Sequence, residues 1–216
     1  MTFSIVARDP LTGALGAATA TAGPAVGALV LHGHARAGAI ATQAMTNPLY
    51  GIRGLALLQK GLSAAETLKA LLLQDSEAAQ RQVMIVDRQG GFAHWSGEQC
   101  GDYFATLQAT DCLLGGNLLT DAQILNEMQR AYQAQDKLPF ADRLLTAMRA
   151  GAAAGGDRRG LKSAALKIWH DREYASIDLR ADWSDAPLAL LEEILHQTRE
   201  PLYADFFAVL PKGRVD

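Results

Sequence analysis

The sequence predicts an α+β fold in which two antiparallel sheets stack face to face and helix pairs cover their outer faces. Three observations point there: strand-like segments arrive in groups, helical spacing arrives in adjacent pairs, and Asp, Pro and Gly punctuate neighbouring strand segments as tight turns do. A doubly wound parallel sheet needs single strands alternating with single helices, and this order excludes it.

Residues 2–7 read as a strand, Asp9-Pro10-Leu11-Thr12-Gly13 as a turn, and residues 14–21 as a small-residue strand, so the chain opens on a hairpin. Gly23-Pro24 breaks the run, and residues 26–32 and 38–43 supply two more strands, making four ahead of the first helix. Apolar spacing turns helical at 50–58 and 63–73; Gly61 closes the first helix, and Ser63 with Glu66 is a capping-box signature for the second. Strands return at 82–86 and 92–95 around Asp87-Arg88-Gln89-Gly90-Gly91, with a short one near 103–107. Thr120 or Asp121 caps a helix running to about residue 133, and Phe140 opens another running to about 153. Beyond a Gly155-Gly156 joint, residues 163–169 and 175–179 alternate as strands about Asp171-Arg172-Glu173, and 187–197 reads as the closing helix.

With 216 residues of which 49% are hydrophobic, the chain can bury one sizeable core, and a single domain over 1–216 is expected. Lys and Arg number 20 against 23 Asp and Glu, without a basic block, which argues against nucleic acid and anionic membranes as partners. No secretory pattern opens the sequence and no apolar run reaches the length of a membrane span. The expectation is a soluble cytoplasmic protein whose partner is a small molecule or short peptide. Cys100 and Cys112 fit no common zinc spacing and read as free, buried thiols. Leucine-rich stripes at 55–58 and 68–72 fit core burial and homodimer formation alike.

Thr2 stands behind the initiator Met at the mouth of the first strand. Once Met1 is trimmed, an N-terminal Thr holds a nucleophile and its base in one residue, because the freed α-amine, with a pKa of about 8, can take the hydroxyl proton. Three further clusters gather hydrogen-bonding side chains, two of them beside Gly. Thr42, Gln43, Thr46 and Asn47 run from the fourth strand into the first helix, where unpaired backbone N–H groups suit a carboxylate; Thr46 or Asn47 as a plain helix cap is the alternative. Gly115-Gly116-Asn117 offers the amide and backbone donors of an oxyanion hole, or else a turn needing left-handed residues. The stretch from Gly155 to Ser163 sets Asp157 among Arg158, Arg159 and Lys162, as a carboxylate-orienting group or a solvated loop. His32 and His34 share one face of a predicted strand, a pairing compatible with zinc but lacking a third ligand at a recognisable spacing, and His94 reads as a core or rim histidine.

Taken in order, Thr2 to Asp9, Ala41-Thr42-Gln43-Ala44 with Asn47 and Tyr50-Gly51, Trp95-Ser96-Gly97 with Cys100, Gly116-Asn117, and Gly155-Gly156-Asp157-Arg158-Arg159-Gly160 with Ser163 resemble the DUF1028 family of bacterial and archaeal proteins. The resemblance extends over nearly the whole chain. It implies the four-layer αββα sandwich of N-terminal nucleophile (Ntn) hydrolases, whose members cleave amide bonds through an acyl intermediate on an N-terminal Thr, Ser or Cys. Carried to this sequence, it makes Thr2 the nucleophile and its amine the base, gives the oxyanion to Asn117 with the Gly116 backbone, and marks Thr42, Gln43, Asn47, Asp157 and Arg158 as substrate-site positions. The reaction so implied is hydrolysis of a small acylated amine, lactam or short peptide without metal or organic cofactor. A non-catalytic ligand-binding or assembly protein that keeps the sandwich remains the alternative.

Overall fold

The computed structural model describes residues 1–155 and 159–213. In chain order these form β1 (Thr2–Arg8), β2 (Leu15–Thr21), α1 (Val26–Leu29), β3 (Leu31–His34), β4 (Gly38–Ala44), α2 (Leu49–Gln59), α3 (Ala64–Leu72), β5 (Arg81–Asp87), β6 (Phe92–Ser96), β7 (Phe104–Ala109), β8 (Cys112–Asn117), α4 (Gln123–Ala134), α5 (Phe140–Ala153), β9 (Ser163–Trp169), β10 (Ile177–Ala181), α6 (Pro187–Gln197) and α7 (Pro201–Val209). The strands make two antiparallel sheets, one of six in the order β10-β9-β2-β1-β8-β7 and one of four in the order β3-β4-β5-β6.

Side-chain alternation decides which face each residue serves. In β1, Phe3, Ile5 and Ala7 join Leu114, Met128, Leu144 and Leu191 in a cluster between the six-stranded sheet and α4, α5 and α6. Val6 points the other way and meets Leu15, Met84, Val86, Leu113 and Trp169 between the two sheets. Ile40, Val83 and Ile85 turn from that interface toward Tyr50, Leu58, Leu68 and Leu71 of α2 and α3. The leucine stripes of those helices are therefore built into the core.

Several elements differ from the sequence reading. The expected strand over 26–32 is a one-turn helix followed by β3, so a helix precedes the third strand. Ala25 has a φ of 53°, the Val26 N–H donates to Ser163 Oγ at 3.2 Å, and Gly27 passes so close to β9 that a Cβ would stand 2.4 Å from the Cβ of Ala165. A short apolar run reads alike for strand and helix, and this close crossing decides between them. Gly115 and Gly116 lie not in a turn but in β8, a wholly buried strand, and the left-handed residue is Leu118, with a φ of 53°. At Gly115 a Cβ would come within 2.7 Å of Met84 Sδ from the facing sheet.

The last strand is Ile177–Ala181, starting two residues beyond the expected 175, and α6 is not the final helix. Helix α7 follows it, with no buried residue; its apolar residues lack the one-sided spacing that marks an amphipathic helix. His94 is exposed on the edge strand β6, at the rim and not in the core. No described helix is long and apolar enough to cross a membrane.

Candidate active site

Pairing aligns one polar residue from each of four neighbouring strands at the same end of the six-stranded sheet. Thr2 is opposite Thr21 on one side and Asn117 on the other, and Thr21 is opposite Ser163. Thr2 shares its face with Ser4 and Val6, so this row looks toward the four-stranded sheet. A cavity of about 380 Å³ opens on it, lined by Thr2, Thr21 and Asn117 together with Met1, Met45, Leu118, Gln99 and Arg159 among others.

Thr2 Oγ1 and Thr21 Oγ1 are 3.0 Å apart, and Thr21 Oγ1 donates to the Met1 carbonyl at 2.7 Å. A hydroxyl has one proton to give, so Thr2 is the donor in the Thr2–Thr21 pair. At the end of the row, Ser163 Oγ donates to the Gly23 carbonyl at 2.6 Å, fixing the loop that borders the cavity.

Behind the row the two sheets are stitched by buried side chains. Ser4 Oγ donates to Gln43 Oε1 at 2.6 Å, Gln43 Nε2 to Gln82 Oε1 at 2.7 Å, and Asn117 Nδ2 to Gln82 Oε1 at 3.3 Å. Gln82 Nε2 lies 2.9 Å from Ser96 Oγ and 3.1 Å from the carbonyls of both Ala105 and Gly116. Asn117, 3% exposed, thus has its amide tied to Gln82 and lines the cavity.

The sequence-predicted site residues fall into separate places. Thr2 and Asn117 meet at the cavity. Gly116 is in the ladder between Phe3 and Ala105, with its carbonyl accepting from Gln82, so its backbone is part of the sheet and not a loose donor. Gln43 belongs to the buried stitch, while Thr42 points to the opposite face, where its hydroxyl donates to the Asn47 carbonyl at 3.3 Å. Asn47 Oδ1 accepts from the Leu49 N–H at 3.1 Å just ahead of α2, whose N-cap is Pro48, and its Nδ2 donates to Asp75 Oδ2 at 3.3 Å. Asp157 and Arg158 lie outside the described residues.

Arg81 joins Asn47 to the cavity wall: its Nε donates to Asp75 at 3.0 Å and its Nη1 to the carbonyl of Met45 at 2.8 Å. The Arg81 guanidinium in turn holds the Asp75 carboxyl down at a pKa of about 2. Cys100, also on the cavity wall, has its thiol pushed up by burial and donates to the Arg81 carbonyl at 3.3 Å, an inert arrangement. His32 Nε2 contacts the Leu29 carbonyl at 3.0 Å and His34 Nδ1 accepts from the Arg36 N–H at 3.2 Å. Among the described residues no three His, Cys, Asp or Glu side chains converge as a metal site would require.

Thr21 and Gln82 complete the site without having been singled out from the sequence, whereas Arg159 and Ser163 belong to the stretch over 155–163 that the sequence did mark. Thr21 was within reach, since hairpin register places it opposite Thr2. Gln82 carried a weaker signal, a polar residue in phase with Met84 and Val86.

The model of the family described as "Family of unknown function (DUF1028)" matches residues 2–191. The chain belongs to the DUF1028 family. A crystal structure of a DUF1028 protein from Silicibacter pomeroyi is 35% identical, with a TM-score of 0.91 over 98% of this chain and 92% of that one. Anbu (ancestral beta-subunit) from Yersinia bercovieri aligns over 99% of this chain and 100% of its own at 12% identity and a TM-score of 0.42, a likeness too slight to bear on fold or activity. No curated protein matches significantly.

Proposed function

We propose that this DUF1028 protein is a cytoplasmic N-terminal nucleophile hydrolase with a four-layer αββα sandwich, cleaving the amide bond of a small acylated amine, lactam or short peptide. The observation that carries this reading is the placement of Thr2 Oγ1 at the cavity, bonded to Thr21 and in register with Asn117.

Removal of Met1 does two things. It frees the Thr2 α-amine, with a reference pKa of about 8, and it takes away the carbonyl to which Thr21 gives its proton. Thr21 can then donate toward Thr2 while the amine accepts the Thr2 proton. The Thr2 oxygen attacks the amide carbon, the Asn117 amide donates to the oxyanion, and the C–N bond breaks as the leaving nitrogen takes the proton from the Thr2 ammonium. Water, deprotonated by the same amine, then hydrolyses the acyl ester and restores the Thr2 hydroxyl. Gly116 serves by holding Asn117 in register, and the Gln43–Gln82 stitch by fixing its amide. The chemistry as drawn calls on no metal or organic cofactor.

One observation favours a second reading, a ligand-binding protein without turnover. Met1 is itself 5% exposed and packs in the core cluster with its carbonyl satisfied, and while it stays, the Thr2 nitrogen is an amide and cannot act as base.

Intact-mass analysis of the protein from its native cell, before and after a β-lactone probe for N-terminal Thr, separates the two. The hydrolase reading expects loss of Met1 and a single adduct on Thr2 that a Thr2→Val variant lacks. Retained Met1 without an adduct overturns it in favour of the binding protein.

A further inference from the structure

We infer that the substrate bears a carboxylate held by Arg159, and that it is an N-acylated amino acid or a molecule of that size and charge. The inference rests on the hydrolase reading for the reaction but not for the recognition. Three features of the cavity carry it.

The first is charge. Of the described side chains lining the cavity, that of Arg159 alone bears a formal charge; the remaining polar side chains are hydroxyls, the Cys100 thiol and the amides of Gln99 and Asn117. A guanidinium carries five donors in a planar fork, so it can keep a protein partner on one edge and still grip a carboxylate with another. Among the described residues no lining Asp or Glu would repel such a ligand, and none favours a cationic one.

The second is size. With Met1 in place, a volume of about 380 Å³ lies near the lower end of the roughly 300–1,000 Å³ of small-molecule sites, room for an acyl group and one amino acid, to which the loss of Met1 adds. The third is the division of the wall. Ala44, Met45 and Leu118 give it an apolar part that stays when Met1 is trimmed, whereas Thr2 and Asn117 stand where the amide must sit. An apolar acyl chain on the first, the scissile amide at Thr2 and a carboxylate at Arg159 use each part once. Hydrolysis of such a molecule adds one water across the C–N bond and releases a free amino acid and a carboxylic acid.

Arg159 is exposed, so replacing it does not threaten folding. The test compares N-acetyl, N-butyryl and N-hexanoyl amino acids with the same compounds carrying a carboxamide in place of the carboxylate. Amine release is followed in the wild-type protein, and binding by calorimetry in the wild-type and Thr2→Val proteins. The expected result is at least a tenfold preference for the acids in kcat/KM or Kd, erased in Arg159→Gln and partly kept in Arg159→Lys. Acids bound in preference but not cleaved, with Arg159→Gln losing the preference, would overturn the hydrolase reading and leave the carboxylate assignment standing. Hydrolysis of acids and carboxamides alike would do the reverse. A preference that survives in Arg159→Gln, or no binding of either series, overturns the assignment to Arg159.

Discussion

Asp75, with 11% of its side chain exposed, sits between Arg81, the Glu77 N–H and Asn47, and the Arg81 guanidinium is the chief reason its pKa drops to about 2. Its unfolded-chain value is about 3.9. Because folding depresses the pKa, the stabilisation is present above pH 4 and is lost as pH falls through about 2. The ceiling is about 2–3 kcal/mol, and solvent screening at the cluster's open side lowers it to about 1 kcal/mol. Asp75→Asn is expected to lose about 1 kcal/mol at pH 7 in urea unfolding, and the gap to the wild-type protein should close as the pH is lowered from 4 to 2. A gap that stays constant with pH would mean that shape, not charge, sets the cost. Nothing in the local sequence around Asp75 announced this role. The cluster joins residues 47, 75 and 81 through tertiary contact, whereas Thr2 was legible because its chemistry depends on its place in the chain.

Helix α3 shows an element whose start could be read directly. Its capping box closes within four residues: the Ser63 N–H donates to Glu66 Oε2 at 2.9 Å and the Glu66 N–H to Ser63 Oγ at 3.3 Å. Asp87 adds a tertiary cap, accepting from the Ala64 N–H at 3.0 Å. Because Asp87 keeps that donor satisfied, Ser63→Ala should cost about 1 kcal/mol by chemical unfolding and not the roughly 2 kcal/mol of the largest cap losses. A loss beyond that range would show that Asp87 cannot hold the helix start alone. Elements set by distant neighbours were harder to read. Val26 to Leu29 becomes a helical turn because β9 lies under Gly27, and β8 carries two glycines mid-core because Met84 and Leu119 need the space. In both places the signal resides in the packing partner and not in the segment.

At the scale of the whole molecule, Gln82 is a hub of the bonds between the four-stranded and six-stranded sheets, beside the Ser4–Gln43 and Ser96–Thr106 pairs. Its amide reaches the carbonyls of Ala105 in β7 and Gly116 in β8, and it accepts from Gln43 of its own sheet and Asn117 of the other. Alternation along β4 and β5 placed Gln43 and Gln82 on one face, but a sequence does not state how two sheets slide over each other, so this seam and its tie to Asn117 could not be read in advance. Gln82→Leu removes the hub and leaves Gln43, Asn117 and the Gly116 carbonyl short of a partner, at about 1–3 kcal/mol for each group left unsatisfied. Relaxation recovers part of that, and a net loss of about 2–4 kcal/mol is expected in urea unfolding. Gln43→Leu should cost less, because Gln82 keeps its other partners. If the seam acts as one unit, the double replacement loses less than the sum of the single ones by about 1 kcal/mol or more, since the second substitution removes a group the first had already stranded. Strict additivity would mean that Gln43 and Gln82 act independently, and that Asn117 is held by its strand and not by the seam.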